Sequence, residues 1–342
     1  MSARAGQSGT ASPTTGLPVI DLSPMRGTDP EARAATGRAV AEACATAGFL
    51  YVVGHGVPQS ELDGILDQAR RLFTRNRALL EDVPIQRSPH WRGWLPPRAR
   101  GSDAALKGNN QEAFQIQREE PVPVGPAADP MRVALHGPNL WPEGLPDFRD
   151  AMTGWWSRME DLSKDLLHAF AMGLGLPEDA FLRHYTQPLA QLRLLHYPPH
   201  QESEDSGVIG IRPHTDTGAF TILLQDAVGG LQVETLDGTW IDAEPVPGAF
   251  VINIGDMMRI WTNGRFRSTR HRVINRTGVE RFSVPFFVNP DFDAVAEPEP
   301  VLLAPDEKPA FEPLPVGPFI YERFSSVWPR AETGTAAEPS GG

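Results

Sequence analysis

The chain of 342 residues contains a single cysteine, Cys44. No internal disulfide is possible, which excludes a disulfide-stapled secreted framework and fits a reducing cytoplasm. Near the end of a predicted helix, Cys44 reads as a small buried hydrophobe. The sequence also lacks an apolar run approaching the roughly 18 residues of a membrane span. Residues 1–16 have no apolar stretch either, so no secretory signal is expected there and the segment reads as a disordered leader. Positive charge is in deficit: 31 basic against 43 acidic side chains leave a formal net charge of −12. No basic face is then available to neutralise phosphates, which argues against a nucleic-acid partner.

What is present is an ordinary globular balance, with 40% hydrophobic and 22% charged residues. That length and composition suffice for one large domain or two ordinary ones. Leu17-Pro-Val-Ile-Asp-Leu opens the ordered part as a short strand. A helix is expected from about Pro30 to Ala47, stopped by Gly48, followed by the strand Phe49 to Val53. From Ser60, a good N-cap, Leu62, Ile65, Leu66, Ala69, Leu72 and Phe73 recur at helical spacing. Phe148, Met152, Trp155, Met159, Leu162, Leu166 and Phe170 mark a second long helix ending near Gly173, and such stripes read as core.

The texture changes after Pro188. Short β-rich runs alternate with Gly, Pro and Asp turns: Gln191 to Tyr197, Ala219 to Leu224, Leu231 to Glu234, Phe250 to Ile254, His271 to Ile274 and Phe282 to Val288. Strands at this spacing without intervening helices predict a jelly roll. The expected fold is mixed α/β (α+β), a double-stranded β-helix core with flanking N-terminal helices. Residues 17–330 would form one domain, mainly helical over 17–187 and jelly roll over 188–330, with 331–342 a loose tail.

Two of these runs carry candidate metal ligands. His214 and Asp216 lie in Arg212-Pro-His-Thr-Asp-Thr, and His271 lies in Ser268-Thr-Arg-His-Arg-Val. Two imidazoles and a carboxylate on one face of an ion leave the opposite face open, the arrangement of non-heme Fe(II) oxygenases. A His-x-acid pair alone says little, since 9 histidines and 43 acidic residues give about one by chance. His200-Gln-Glu202 is such a decoy, in a polar loop. His214 and Asp216 instead precede a strand, and positions i and i+2 of an extended segment share a face. Ten residues beyond His271, Arg281-Phe-Ser283 offers a forked, charge-assisted grip on a carboxylate. Alternation puts Arg281, Ser283, Pro285 and Phe287 on one face. Were it interior, Arg281 would need an anionic partner there, and Tyr197 could add a hydrogen bond.

Read in order, Leu17-Pro-Val-Ile-Asp-Leu, Gly48-Phe-Leu-Tyr-Val-Val-Gly-His-Gly-Val-Pro, Gly137-Pro-Asn-Leu-Trp-Pro, Leu192-Arg-Leu-Leu-His-Tyr-Pro-Pro, Pro213-His-Thr-Asp, Val251-Ile-Asn-Ile-Gly-Asp, Arg270-His-Arg-Val and Arg281-Phe-Ser form a recognisable series. From Leu17 to Pro329 the chain resembles the isopenicillin N synthase-like Fe(II)/2-oxoglutarate dioxygenases. The resemblance implies Fe(II) bound by His214, Asp216 and His271, and the distal carboxylate of 2-oxoglutarate held by Arg281, Ser283 and Tyr197. With O2 as co-substrate, the implied reaction hydroxylates, desaturates or cyclises a small-molecule metabolite, releasing succinate and CO2. It also implies that Arg193, Phe287 and Asn289 lie on the substrate side, with Phe114 or Gln115 joining from the N-terminal part. Arg193 would suit a substrate with a carboxylate or polar oxygen, or else make a structural ion pair. His55 reads as structural, His196 as facing away from Tyr197, and Trp91 and Trp94 as packing groups or the flanks of a lid. One departure is Leu195, where many plant members carry Asn. Two alternatives stay open at this stage: a 2-oxoglutarate-independent oxidase that grips its substrate with Arg281 and Ser283, and a non-catalytic small-molecule-binding jelly roll.

Overall fold

In the computed structural model, residues 16–97, 110–125, 128–199, 210–275 and 277–328 are described. Two sheets face each other. The larger has the order β1 (Val19–Asp21), β2 (Phe49–Val53), β10 (Phe250–Ile254), β7 (Phe220–Gln225), β12 (Arg281–Val288), β5 (Gln191–Tyr197), β4 (Glu112–Gln117), β3 (Gly93–Leu95). The smaller has the order β6 (Ile211–His214), β11 (His271–Val273), β8 (Leu231–Glu234), β9 (Trp240–Asp242). β1 and β2 pair in parallel, and the other described ladders are antiparallel. A short pair, β13 (Val295–Ala296) and β14 (Leu314–Pro315), stands apart. This is the expected jelly roll with flanking helices.

Strand alternation gives the large sheet two different faces. On β5, Leu192 and Leu194 join the large core beneath the helices, whereas Leu195 and Tyr197 join a second cluster with Leu231, Val233 and Val273 of the small sheet. The helices on the outer face are α1 (Pro30–Thr46), α2 (Gln59–Arg70) and α4 (Phe148–Gly173). Every predicted stripe residue of α4, from Phe148 to Phe170, is buried. Each such side chain contributes roughly 1.5–3 kcal/mol relative to exposure. α3 (Pro130–Leu135), α5 (Asp256–Trp261) and α6 (Val316–Val327) complete the set.

Local chemistry accounts for the helix ends. Asp29 caps α1 by accepting from the backbone of Glu31 and Ala32, with Pro30 in the first turn. Gly48 stops it: at φ 68° its N–H reaches the Ala43 carbonyl, and a Cβ there would meet the Arg267 carbonyl oxygen at 2.3 Å. The start of α2 differs from expectation. The helix begins at Gln59 after Pro58, and Ser60 lies inside it rather than at its cap. Proline's fixed φ sets up the helical entry without a side-chain cap. Leu72 and Phe73 are buried as expected, but within a π-helical turn, Arg71–Arg75.

The N-terminal part is less helical than its sequence suggests, since β1 to β4 all belong to the large sheet. β4 was hidden because Glu112, Gln115 and Gln117 are polar yet buried, the side chains of Glu112 and Gln115 being hydrogen-bonded to Trp94 and to the Trp91 carbonyl. His200 and Glu202 lie outside the described residues.

Candidate active site

His214 and His271 are register partners across the β6–β11 ladder, with ring centroids 4.2 Å apart. Each ring is oriented by the same device, its Nδ1 lying against the backbone carbonyl two residues earlier. Nδ1 of His214 is 2.8 Å from the Arg212 oxygen, and Nδ1 of His271 is 3.2 Å from that of Thr269. Both Nε2 atoms are thereby turned to a common point. Asp216, two residues past β6, completes it: Oδ1 lies 3.7 Å from His214 Nε2 and 3.8 Å from His271 Nε2. Its other oxygen, Oδ2, accepts from Asn253 Nδ2 at 2.8 Å and from the Thr221 hydroxyl. One carboxylate oxygen is thus anchored to the large sheet, and the other accepts no hydrogen bond from a described residue.

These atoms lie within 4.8 Å of one another, close enough for one ion to bridge. Protonation also suits a metal. Burial and the neighbouring His214 push His271 down to about 4, so it is neutral near pH 7. Burial raises Asp216, but His271, His214, Asn253 and Thr221 outweigh it and hold the carboxyl below its usual range. Two imidazole nitrogens and one free carboxylate oxygen are the donors that Fe(II) takes in a facial triad. His271 and Asp216 are deep, while His214 keeps a more exposed edge.

On the facing sheet Arg281 is wholly buried. Its Nε donates to the Gly229 carbonyl at 2.6 Å, Nη1 to the Ser283 hydroxyl at 3.2 Å and Nη2 to Gln225 Oε1 at 3.4 Å. The guanidinium sits over the Tyr197 ring, 4.7 Å from its centroid. Burial raises the Tyr197 pKa despite Arg281 and Ser283, so the phenol keeps its proton. All the described partners of Arg281 are neutral. A buried guanidinium without a carboxylate, beside two hydroxyls, is a site for an anion that arrives from outside. That fits the distal carboxylate of 2-oxoglutarate.

The substrate-side expectations divide. Arg193 and Gln115 meet on the inner face, where Arg193 Nε donates to Gln115 Oε1 at 2.7 Å. Phe287 lies beneath the same guanidinium. Phe114 is corrected: one residue from Gln115 on β4, it points to the opposite face and packs on Trp141 and Phe148 in the helical core. Asn289 is buried just past β12, its amide donating to the Leu189 carbonyl. His55 is structural, against the Gly248 carbonyl and the Phe250 ring. His196 faces away from the site, stacked on Phe282 and bonded to Glu112. Trp91 is a packing residue against Tyr321 and Phe324. Thr221 and Asn253 escaped the sequence reading, although a lone polar residue in Phe-Val-Ile-Asn253-Ile was the available signal. Trp328, whose ring covers Arg193, was also missed.

Comparison with known proteins agrees with this chemistry. Residues 188–290 match the model of the 2OG-Fe(II) oxygenase superfamily, and residues 17–144 match that of the N-terminal region of non-haem dioxygenases in morphine synthesis. The 2-oxoglutarate-Fe(II) type oxidoreductase hxnY of Emericella nidulans is 34% identical over 328 residues, covering 93% of this chain and 92% of the relative. The homoarginine-6-hydroxylase 2-ODD-C23 of Glycine max is 35% identical over 82% of this chain and 88% of its own length. The crystal structure of a full-length Neurospora crassa protein in complex with alpha-KG superposes with a TM-score of 0.80 at 26% identity, covering 91% of this chain and 96% of that one. The same Neurospora protein has been crystallised with alpha-KG and thymine. These relatives support the 2-oxoglutarate-dependent reading over an oxidase that dispenses with the keto acid or a non-catalytic binding protein. The chain belongs to the 2OG-Fe(II) oxygenase superfamily and is an Fe(II)- and 2-oxoglutarate-dependent oxidoreductase that uses O2.

Proposed function

We propose that this enzyme hydroxylates a small-molecule metabolite, with His214, Asp216 and His271 as its iron ligands and Arg281, Ser283 and Tyr197 as its 2-oxoglutarate anchor. The observation that carries the reading is the pairing of the two features across the sheets. Three converging donor atoms lie on one side, and a buried guanidinium without a carboxylate lies on the other. When bound, Fe(II) with 2-oxoglutarate and O2 supplies the oxidising power to functionalise a C–H bond, releasing succinate and CO2.

The residues of the chain supply placement. The Arg212 and Thr269 carbonyls hold both imidazoles with Nε2 forward. Asn253 and Thr221 keep Asp216 from rotating away. Arg281 and Ser283 fix one end of the keto acid by charge-assisted bonds. Leu195, Val233 and Val251 belong to the buried apolar cluster between the two sheets, and apolar surroundings exclude water and strengthen such charges. Leu195 donates nothing, so the anchor rests on Arg281, Ser283 and Tyr197.

Residues 17–330 are proposed to act as one domain, because the large sheet interleaves strands from both halves of the chain. No described helix is long and apolar enough to cross a membrane. The cytoplasm is the proposed compartment, where the buried thiol of Cys44 is at home. The test is aerobic incubation of Fe(II) protein and 2-oxoglutarate with a metabolite panel. Succinate should rise with a hydroxylated product and should not rise in His214→Ala. Turnover that proceeds unchanged without any keto acid would contradict the proposal.

A further inference from the structure

One buried acid has no part in the chemistry above. Glu112 and Glu299 are buried too, but each meets an arginine, Arg77 and Arg183 respectively. Asp226, 5% exposed, pairs with no cation among the described residues. Its two oxygens accept from the backbone instead: Oδ2 from the Phe282 N–H at 2.7 Å and Oδ1 from the Val228 N–H at 3.0 Å. A buried acid is tolerated where N–H groups satisfy it in this way.

Both bonds bear on Arg281. Phe282 is its neighbour on β12, and the Asp226 N–H also donates to the Phe282 carbonyl at 3.1 Å. The residue after Arg281 is therefore tied to Asp226 through both its N–H and its carbonyl. The bond to Val228 closes an Asx-turn at the end of β7, which helps bend residues 226–230 back toward β12. Gly229 then offers its carbonyl to Arg281 Nε at 2.6 Å. This is the shortest of the three hydrogen bonds of the guanidinium, against 3.2 Å to Ser283 and 3.4 Å to Gln225. Gly229 and Gly230 have φ of 79° and 90°, a region that favours glycine. A Cβ on Gly230 would lie 2.5 Å from the Ile274 carbonyl oxygen, and the Gly230 carbonyl accepts from the Ile274 N–H at 2.8 Å. The turn is thus seated between β12 and the end of β11, and it has little room to shift.

We propose that Asp226 is a positioning residue for the keto acid. It holds the 226–230 turn so that the Gly229 carbonyl occupies Arg281 Nε and leaves the two terminal nitrogens for the distal carboxylate. The proposal rests on the reading above, in which Arg281 anchors 2-oxoglutarate. Bound to backbone N–H groups, the Asp226 oxygens do not cap the guanidinium. The acid therefore acts on the co-substrate only through the orientation of Arg281.

The test is an anaerobic titration of Fe(II) protein with 2-oxoglutarate, followed by the visible band of the iron–keto acid complex. Fe(II) affinity is measured separately, without keto acid. Asp226→Ala should raise the Kd for 2-oxoglutarate about tenfold, as expected for loss of hydrogen bonds that fix a charged group. Asp226→Asn keeps one acceptor oxygen for the turn, and its loss should be smaller, about threefold. Fe(II) affinity should stay at the wild-type value in both, which a general loosening of the fold would not allow. In an Arg281→Leu background either substitution should add less than about twofold, because residues that act through one another are not additive. If Asp226→Ala does not fold, Asp226→Asn decides by the same comparisons. An unchanged Kd for 2-oxoglutarate in the folded variant would overturn the proposal. So would a parallel fall in Fe(II) affinity, or a loss that persists in full beside Arg281→Leu. A wild-type protein that never forms the band, or Arg281→Leu with a wild-type Kd, would instead overturn the reading on which the proposal rests, and the proposal with it.

Discussion

His214 and His271 stand opposite each other across the β6–β11 ladder, and the Nε2 of each lies within 3.8 Å of the same oxygen of Asp216. The small sheet thus supplies the nitrogens, while the large sheet steadies the carboxylate through Thr221 and Asn253. The geometry at the proposed metal site therefore depends on how the two sheets pack.

That dependence predicts a role for Asn253. Asn253→Ala removes a 2.8 Å bond to Asp216 Oδ2 without touching a proposed ligand. Fe(II) affinity should fall by about 10–100-fold, the usual cost of losing an outer partner of a ligand. The measurement is metal titration at pH 7, with a circular dichroism spectrum confirming the fold.

Arg281 and Ser283 should separate by magnitude. Arg281→Leu leaves the proposed carboxylate site without charge, and the KM for 2-oxoglutarate should rise on the order of 100-fold, in line with one or two charge-assisted bonds. Arg281→Lys should fall between, because an ammonium cannot reproduce the fork. Ser283→Ala, which removes one hydroxyl, should raise KM only about threefold to tenfold. Initial rates of succinate formation give the comparison.

The triad also sets a pH dependence for the metal-free protein. His271 has a folded pKa of about 4, below its unfolded value near 6.5. Between those values the unfolded chain binds more protons, so stability rises with pH across the window and is lost as pH falls from about 6.5 toward 4. Asp216, also lowered, adds a loss of the same sign at more acid pH. Thermal melts in chelator at pH 7, 5.5 and 4.5 should show this decline. It should be shallower in His271→Gln, which has no proton to gain.

Away from the site, α1 and α4 cross where Gly37 meets Gly173. A Cβ on Gly173 would fall 2.1 Å from the Gly37 carbonyl oxygen. Gly173→Ala should therefore force the helices apart and destabilise by about 1–3 kcal/mol. Chemical denaturation measures the loss, and 2-oxoglutarate affinity should stay near that of the wild type.

The convergence of His214, Asp216 and His271 was legible because they lie in two short motifs beside apolar strands, where the period of two fixes which side chains share a face. The same rule sorted His196 away from Tyr197. β4 was not legible, because the polar residues that make it useful mask its strand pattern: Gln115 serves Arg193, and Glu112 accepts from Trp94 Nε1. β6 was obscured by Pro213, tolerated because β6 is the edge of its sheet. Phe114 was placed on the wrong side for want of the register that pairs Gln115 with Arg193. Trp328 lies far from Arg193 in sequence, and only the fold brings the two together.

The most direct measurement is an anaerobic titration of the Fe(II) protein with 2-oxoglutarate, followed by the visible metal-to-ligand band. The band should grow to saturation at one equivalent in the wild type, require far more keto acid in Arg281→Leu and fail to form in His271→Ala. A band that forms unchanged in His271→Ala, or iron-loaded wild-type protein that shows none, would contradict the assignment of His214, Asp216 and His271 as the site where iron and keto acid meet.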